Sequence, residues 1–431
     1  AASKSIAILP FTDLSPEQDN KYFSDGLTEE VIASLSRLRN VKIISRTSVM
    51  HYERAGKTMK QIGTELGVQY VLEGSVRRSG SDLRITAQLI DTGQDVYLWS
   101  ETYSGTMGQV FDFQEDVATR IVRALRMRLT PGERRNLKRR STENTEAYQL
   151  YLKGRFFWNK RSREALFTAI RYFEDAIQID AGYALAWAGI ADSYNLLSEY
   201  ESIPRNETYP KARAAADKAL KLDSRLAEAH TSLALLIMLN ELDWATSEKE
   251  FKLAISLNPN YPTSHHWYAE WLLFKGKTGE ALREISKAAE LDPLSPAILK
   301  DRGLTLYYAR DFDGAIDHAR KSLELDPTFS SAHRLLSLAY QQKRMFEEAI
   351  SENRLWGELT GNKSEAQIGL AQCYAASGKR PEALKLLEEL DQDHLATGNL
   401  LRGIGLVYAA LGEKDLAFTW FQKSFEHKAE S

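Results

Sequence analysis

The first 130 residues alternate between strand-like and helix-like spacings of their apolar positions. Short apolar runs and alternating apolar and polar residues predict five strands, over 5–11, 41–44, 69–76, 83–90 and 96–103. Apolar stripes at helical spacing predict three helices, over 27–38, 59–66 and 110–129. Thr28 stands where the first of these helices needs an N-terminal cap, and Gly67 stands where the second would end. This part of the chain is therefore predicted to form a small mixed α/β domain of about five strands.

From residue 144 onward the strand pattern disappears and a helical pattern recurs with a fixed period. The dipeptides Asn258-Pro259, Asp292-Pro293 and Asp326-Pro327 are spaced 34 residues apart. When each unit is numbered so that this proline falls at position 32, a small residue recurs at position 8, a bulky one at position 11 and alanine at position 20. Two helices can cross closely only where one side chain is small. A helix pair of this length is the tetratricopeptide repeat, so the chain is predicted to be mainly α-helical, with a solenoid of about eight repeats.

These patterns divide the chain into three segments. We predict an α/β domain over 1–130, a basic linker over 131–146 and the repeat solenoid over 147–431. The fold class is thus α+β, with the sheet confined to the first segment.

Composition and charge add three limits. The chain has 431 residues with a formal net charge of −3, which gives no global attraction to nucleic acid or anionic membranes. Its only cysteine, Cys373, excludes an intrachain disulfide and a thiolate metal cluster. No run of 18 apolar residues is present, so no segment is predicted to span a bilayer. The first residues lead directly into a strand pattern without a signal-peptide pattern, and we expect the chain to begin at a cut.

Motifs that carry catalysis are missing from the sequence. It contains no phosphate-binding loop, no nucleophile elbow and no zinc-binding helix motif. His265 and His266 are the only adjacent histidines, and neighbours on a helix point about 100° apart, which does not suit a shared metal. The acidic residues Asp25, Glu29 and Glu30 have no nucleophile to pair with. We predict a protein that is not an enzyme and that holds no metal or cofactor.

The stretch 134–140 is the one strong run of basic residues. It allows a nucleic-acid or lipid contact, and it also fits a solvated linker whose charges dock on Glu143 and Glu146. It lacks the interleaved aromatic residues of a single-strand binder, so we favour the linker and expect no nucleic acid as partner. Cys373 lies at position 10 of a repeat, where we expect it to pack between helices.

A second candidate site follows from repeat geometry. The first helix of each tetratricopeptide repeat lines the concave face, and positions 2, 5, 9, 12 and 13 lie opposite the core positions. These positions hold Tyr148, Tyr151, Arg155, Trp158 and Asn159 in the first repeat, Asp192 and Asn195 in the second, His266 and Glu270 in the fourth, Lys300 and Tyr307 in the fifth, Arg334 and Gln341 in the sixth, and Arg402 in the eighth. Aromatic, amide and charged side chains together suit an extended peptide or a protein partner.

The α/β segment resembles a known family through SIAILPF (5–11), YFSDGLTEEVIASLSRL (22–38), IGTELGVQYVLEGSVRRSG (62–80) and LRITAQLIDTGQDVYLWSETY (83–103). These residues are similar to the TolB amino-terminal-like domain of bacterial one-component regulators, where it precedes tetratricopeptide repeats. The resemblance implies an attached effector: a CadC-like winged helix, a nucleotide cyclase or a serine/threonine kinase. It also implies a membrane helix before this point in many relatives.

The favoured hypothesis is therefore a non-catalytic sensor and protein-binding module of a bacterial signalling or transcriptional regulator, with its partner in the concave groove. The alternatives are a nucleic-acid-binding regulator that uses 134–140 and the soluble part of a receptor that acts through oligomerisation, so a homo-oligomer is allowed. The family's topology favours the extracytoplasmic (periplasmic) side of a membrane, with the cytoplasm as the alternative.

Overall fold

The computed structural model describes residues 4–15, 21–52, 56–106, 109–137, 140–158, 163–200, 203, 205–390 and 398–430. Within these residues a six-stranded sheet near the N-terminus is followed only by helices. This confirms the predicted fold class, an α/β domain followed by an α-helical repeat array. By its internal contacts the chain forms two compact units, 1–294 and 295–431.

The sheet has the order β3-β1-β4-β5-β6, with the short β2 beside β4. Its strands are β1 Lys4–Ile8, β2 Thr12–Asp13, β3 Val41–Ile43, β4 Tyr70–Ser79, β5 Asp82–Asp91 and β6 Val96–Thr106. β1 pairs in parallel with β3 and β4, and β4, β5 and β6 form the predicted antiparallel meander. Ile85, Ala87 and Leu89 are buried, so one face of β5 is core as the alternation predicts. The two-residue β2 is too short to leave a periodic pattern, and the sequence prediction misses it.

Six helices accompany the sheet and its linker. They are α1 Lys21–Ser36, α2 Arg46–Val49, α3 Met59–Leu66, α4 Val110–Ala124, α5 Pro131–Leu137 and, opening the repeats, α6 Thr145–Trp158. α3 ends at Gly67 as predicted, because Gly67 adopts the left-handed conformation with φ of 60°. The predicted cap at Thr28 is wrong. α1 begins before it, and the Thr28 hydroxyl donates to the Ser24 carbonyl while it accepts from the Phe11 amide.

Eight helix pairs form the repeats in the described residues. The remaining helices of the first unit are α7 Arg163–Ile179, α8 Ala184–Tyr200, α9 Arg205–Leu222, α10 Ala227–Leu236, α11 Trp244–Leu257, α12 Pro262–Phe274 and α13 Thr278–Leu291. Those of the second unit are α14 Pro296–Tyr308, α15 Phe312–Leu325, α16 Ser330–Gln342, α17 Phe346–Thr360, α18 Lys363–Ala376, α19 Arg380–Glu388, α20 Gly398–Ala410 and α21 Lys414–Glu430. The chain is thus a tetratricopeptide-type repeat array, with an A helix and a B helix in each repeat. No helix in the described residues is long and apolar enough to cross a membrane.

The predicted close crossing lies where positions 8 and 20 of a repeat meet. A Cβ atom added to Gly303 would stand 3.0 Å from the Ala315 carbonyl oxygen. In the next repeat the Ser337 hydroxyl donates to the Ala349 carbonyl at 2.9 Å. In these two repeats a side chain larger than serine at position 8 would push the two helices apart, whereas the third repeat has the buried Leu235 there.

Candidate functional site

α1 of the sheet domain packs against α6, the A helix of the first repeat. The approach is close, because a Cβ atom added to Gly26 would stand 2.2 Å from Cδ1 of Leu152. Beside this contact Arg155 Nε donates to Glu29 Oε1 at 2.8 Å, and each side chain is only 14% exposed. The sheet domain and the first repeat therefore share a largely buried ion pair, a type of pair that depends strongly on having both partners present.

Further charges surround this ion pair. Arg46 of α2 lies 3.5 Å from Glu29 and 3.4 Å from Asp25, so Glu29 is shared between two guanidinium groups. The Arg155 guanidinium also stacks 4.2 Å from the Trp158 ring centroid. Burial alone would lower the pKa of Arg155, but the carboxylate of Glu29 holds it above the usual range. Arg155 therefore stays charged throughout the physiological pH range.

Glu30 is the exception in this cluster. Burial raises the pKa of its carboxyl to about 7, and the neighbouring charge of Glu29 adds to this effect. Arg37 and Arg155 oppose the rise only in part. Glu30 therefore changes its charge near neutral pH at the contact between the sheet domain and the repeats.

A second contact joins the sheet domain to the turn that ends the third repeat. The Asn260 side chain accepts from the Ile43 amide at 3.3 Å and donates to the Ser36 and Leu38 carbonyls at 2.9 and 2.8 Å. The Asn258 amide donates to the Ser36 hydroxyl at 3.1 Å. Both asparagines are buried. One asparagine thus satisfies three backbone groups of the sheet domain.

We expect Asn260→Ala to lower the free energy of unfolding of the first unit by about 2–3 kcal/mol, because it leaves three buried backbone groups without partners. Urea denaturation followed by circular dichroism measures this loss. Asn144→Ala is the control, because Asn144 is an exposed residue that caps a helix by bonds to Glu146 and Ala147; a loss of about 1 kcal/mol is expected there. Equal losses of unfolding free energy in the two variants would contradict the role of Asn260 in joining the sheet domain to the repeats.

A third contact uses the turn that ends the fourth repeat. Ser48 Oγ donates to Asp292 Oδ1 at 2.6 Å and accepts from the Leu294 amide at 2.8 Å, while the Ser45 amide donates to the Leu291 carbonyl at 2.8 Å. Burial raises the pKa of Asp292, and the hydroxyl of Ser48 works against the rise. Two of the turns that mark the sequence period, at 258–259 and 292–293, are thus also places where the sheet domain is held.

The described groove residues of the first repeat are not open to solvent, and the sheet domain contacts two of them, Tyr148 and Arg155. Tyr148 is fully buried, and its hydroxyl accepts from Gln114 of α4 at 2.7 Å. Tyr151 is buried with its ring centroid 5.1 Å from that of Tyr183, and Trp158 is buried. The prediction of an open peptide surface here needs correction, because α1 and α4 occupy it. Asn159 lies outside the described residues.

The predicted residues of the second and fourth repeats are turned toward their neighbours. Asp192 and Asn195 are buried and both bind Ser232 of the next A helix: its hydroxyl donates to Asp192, and its carbonyl accepts from Asn195 at 3.3 Å. His266 is also buried, with Nε2 3.4 Å from Glu270 of the same helix. Asp192 and Asn195 therefore join the second repeat to the third, whereas His266 and Glu270 contact each other within one helix.

In the second unit the predicted residues include a series of cations. Lys300, Arg334 and Arg402 all stand at position 5 of their repeats, and the seventh repeat has the buried Ile368 at this position. Lys300 Nζ lies 2.5 Å from Asp301. The exposed Arg334 guanidinium lies 4.7 Å from the Trp356 ring centroid, and Arg402 is exposed.

Aromatic and amide groups accompany these cations. Tyr307 is half-buried, with its ring centroid 5.7 Å from that of the exposed Tyr308, and burial raises its pKa. Gln341 is half-buried in the next A helix. Arg334 Nη1 lies 3.3 Å from Glu365 of α18, and this ion pair joins two adjacent A helices. We call Lys300, Arg334 and Arg402, with Tyr307 and Tyr308, the basic A-helix face of the second unit.

Three other histidines form a recurrent structural contact that the sequence analysis did not identify. In each of these histidines, ring Nδ1 contacts a glutamate of the B helix and ring Nε2 contacts the backbone carbonyl of the residue six positions earlier. The three residues are His230, His265 and His333. Their spacing of 35 and 68 residues is the signal that could have revealed them. Each contact links the two helices of one repeat. This structural contact accounts for the presence of His265 without a metal.

The basic linker and Cys373, the two remaining features singled out in the sequence, have structural roles. Arg140 Nη1 donates to Glu143 at 2.9 Å and its Nη2 lies 2.5 Å from Asp112, which confirms the predicted docking of linker charge on Glu143. Cys373 is buried as expected, and burial raises the pKa of its thiol to about 11. A thiol with this pKa and no exposure is not a reactive nucleophile at neutral pH.

Residues 2–120 match the family model for the second domain of HilA/YgeH-like transcriptional regulators. A protein of Rhizobium meliloti named "Putative adenylate cyclase 3" is 34% identical over 239 residues, which cover 55% of this chain and 40% of that protein. The transcriptional regulator HilA of Salmonella typhimurium is 21% identical over 392 residues, which cover 89% of this chain and 68% of HilA. The chain thus spans less than half of the rhizobial relative.

Among solved structures, the human IFIT1 dimer with PPP-AAAA has 18% identity and a TM-score of 0.46, and the match covers 75% of this chain and 80% of that one. This similarity is too low to bear on function. The matched family model differs from the TolB-like family that the sequence resembles, so the TolB-like and CadC-like assignments stay predictions. The repeat architecture and the similarity to a named transcriptional regulator are consistent with a non-catalytic protein.

Proposed function

We propose that this chain is a protein-binding scaffold of a bacterial regulator, and that it takes its partner on the basic A-helix face of the second unit. In the first unit, the corresponding face of the first repeat already holds α1, a segment that presents Glu29 to Arg155. That contact is the observation that supports the proposal. It shows what chemistry an A helix of this array accepts: an acidic segment laid against a cation and aromatic rings.

The partner that this chemistry favours is an acidic peptide or acidic protein surface. Position 5 supplies Lys300, Arg334 and Arg402, which attract carboxylates, and Tyr307 with Tyr308 offers rings for apolar side chains. Exposed cation–carboxylate contacts bring specificity and association rate more than affinity. We therefore expect a salt-sensitive interaction.

We further propose that the module is joined to an effector domain in the full-length protein. The match to 40% of a protein named as a cyclase and to 68% of HilA supports this, since both relatives extend beyond the region that they share with this chain. The TolB-like origin of the α/β domain and its extracytoplasmic location stay predictions that rest on the sequence resemblance.

Photo-crosslinking in the source cells tests the partner site. A photoreactive phenylalanine analogue at Tyr308 should give a specific crosslinked protein, and Arg334→Glu with Arg402→Glu should reduce its yield about tenfold or more, because two attractive charges become repulsive. The matched control is Lys385→Glu with Lys414→Glu, which reverses two exposed cations on B helices.

An unchanged crosslink in the double A-helix variant, or an equal loss in the B-helix control, would contradict the basic A-helix face as the partner site. Circular dichroism on all variants shows whether the fold is retained. Identification of the captured protein by mass spectrometry would then show whether its contacting segment is acidic.

A further inference from the structure

A cluster of exposed arginines lies where α4 ends and α5 begins. The stretch 121–137 contains one acidic residue, Glu133, and five arginines with exposed side chains, which we call the arginine patch: Arg123, Arg126, Arg128, Arg134 and Arg135. None of the five takes part in an ion pair within the residues that the structure describes. The patch is therefore a local concentration of positive charge on a chain whose net charge is −3.

The packing of two helices holds the arginine patch together. α4 contacts α5, and both helices contact α1. Leu125, which follows α4, and Leu137 of α5 are 3% and 7% exposed, so the apolar sides of this segment face the core. The arginines are consequently held on the outer side of one corner of the first unit.

Glu133 does not neutralise the arginine patch. Its Oε2 accepts from the amide and the hydroxyl of Thr130, each at 2.8 Å, and its Oε1 accepts from the Arg39 amide at 3.3 Å. The carboxylate of Glu133 therefore caps α5 and joins it to the segment that follows α1. Arg140 of the linker is different, because its guanidinium docks on Glu143 at 2.9 Å.

Arg126 occupies a backbone position that glycine usually holds. Its amide donates to the Arg123 carbonyl at 2.9 Å, and the Met127 amide donates to the Val122 carbonyl at 3.0 Å, the hydrogen-bond pattern of a Schellman motif at a helix end. The φ of Arg126 is 48°, in the left-handed region that glycine adopts most easily. The chain thus keeps an arginine where glycine would fold better, and such an exception points to a role outside the fold.

Phosphate is the anion that clustered arginines suit best, because the planar guanidinium fork matches its oxygens with two parallel hydrogen bonds. Both membranes and nucleic acids present dense phosphate. None of the described side chains over 121–137 is both large, apolar and exposed, so the patch has no anchor to insert into a bilayer. The stretch also contains no aromatic residue to stack on single-stranded bases. The chemistry therefore favours a nucleic-acid duplex, which carries one charge per about 1.7 Å of its axis.

We propose that the arginine patch binds the phosphate backbone of double-stranded DNA without reading its sequence. The run 134–140 alone predicts a linker, and the net charge predicts no nucleic-acid partner, but the fold adds the arginines at the end of α4 to that run. DNA binding goes with the cytoplasmic alternative for the location of the chain. The patch shares no residue with the basic A-helix face, so the proposal is independent of the proposed partner site.

Fluorescence anisotropy with a labelled DNA duplex tests the patch in the full chain. The native chain should bind with a micromolar Kd in about 50 mM NaCl, and five phosphate contacts correspond to a slope of log affinity against log salt of about −4.5. Duplexes of unrelated sequence should bind equally, because phosphate contacts carry no sequence information.

Two variants separate DNA binding from folding. Arg134→Gln with Arg135→Gln should weaken duplex binding about tenfold or more and reduce the salt slope by about 2, because two phosphate contacts are lost. Arg126→Gly should also weaken binding, while its urea midpoint stays the same or rises, because glycine adopts the left-handed conformation freely. The matched control is Arg171→Gln with Arg225→Gln, which removes two exposed arginines elsewhere in the first unit and should leave the affinity unchanged.

Four results would overturn the proposal. They are a native chain that does not bind the duplex at low salt, a chain that binds phosphatidylserine vesicles but not the duplex, an affinity that neither patch variant changes, and an equal loss of affinity in the control. Arg334→Glu with Arg402→Glu should keep the DNA affinity. A loss of DNA affinity in that variant alone would assign the binding to the second unit and would also contradict the arginine patch.

Discussion

Arg155→Ala is expected to lower the free energy of unfolding of the first unit by about 3–5 kcal/mol. The substitution deprives the largely buried Glu29 of its closest partner at 2.8 Å and leaves it only the longer contact with Arg46 at 3.5 Å, and removing one member of a buried pair costs about this much. It also removes the guanidinium that stacks on Trp158. Urea denaturation followed by circular dichroism measures the loss.

Two controls separate this effect from a general loss of charge. Arg213→Ala removes more exposed ion pairs with Asp217 and Glu241, and a loss below about 1 kcal/mol is expected. Arg155→Ala combined with Glu29→Gln should lose less than the sum of the single changes, because the second change removes the stranded charge. A loss near that of Arg213→Ala would contradict the buried contact between α1 and α6.

The second large effect is a dependence of stability on pH that Glu30 produces. Its pKa is about 7 in the folded chain, against 4.5 for an ordinary glutamate, so the folded state binds the proton more tightly than the unfolded state. The stability that this proton contributes is full below about pH 4.5 and is lost as the pH rises through 7. The shift corresponds to about 3 kcal/mol between these limits.

Glu30→Gln should therefore be more stable than the native chain at pH 8, by up to about 3 kcal/mol, and close to it at pH 4.5. The measurement is urea denaturation at both values of pH. Glu146→Gln, at an exposed position on α6, is the control and should show no such difference. If Glu30→Gln gains as much stability as the native chain on acidification from pH 8 to pH 4.5, Glu30 is not the cause of the pH dependence.

Repeat structure could be predicted from the sequence because it depends on contacts between residues at fixed spacing. Gly303 and Ala315, or Ser337 and Ala349, meet within one helix pair, so their positions in the 34-residue unit determine the contact. The strands of the meander could be predicted for a similar reason, since alternation along β5 separates its two faces. These features depend on neighbours in the chain.

The cover over the first repeat could not be predicted in the same way. Position in the repeat places Tyr148 and Arg155 on the face opposite the core positions, but it does not show which distant segment lies against them. That contact joins residues more than 120 positions apart, as Arg155 and Glu29 show. The density of aromatic residues on this face, and the acidic residues of α1, were the available signals: such a face is too apolar to remain in solvent.

A disulfide between α1 and α6 tests the central claim, that the sheet domain occupies the A-helix face of the first repeat. Gly26→Cys with Leu152→Cys places two thiols at the closest approach of these helices. Gly26→Cys with Leu150→Cys is the control, because residues two apart on a helix point to different sides. If α1 lies against α6, the first pair should form a disulfide rapidly and almost completely within one chain, and the second pair should form little. Failure of the first pair to form, in a chain that retains its native circular dichroism, would contradict it.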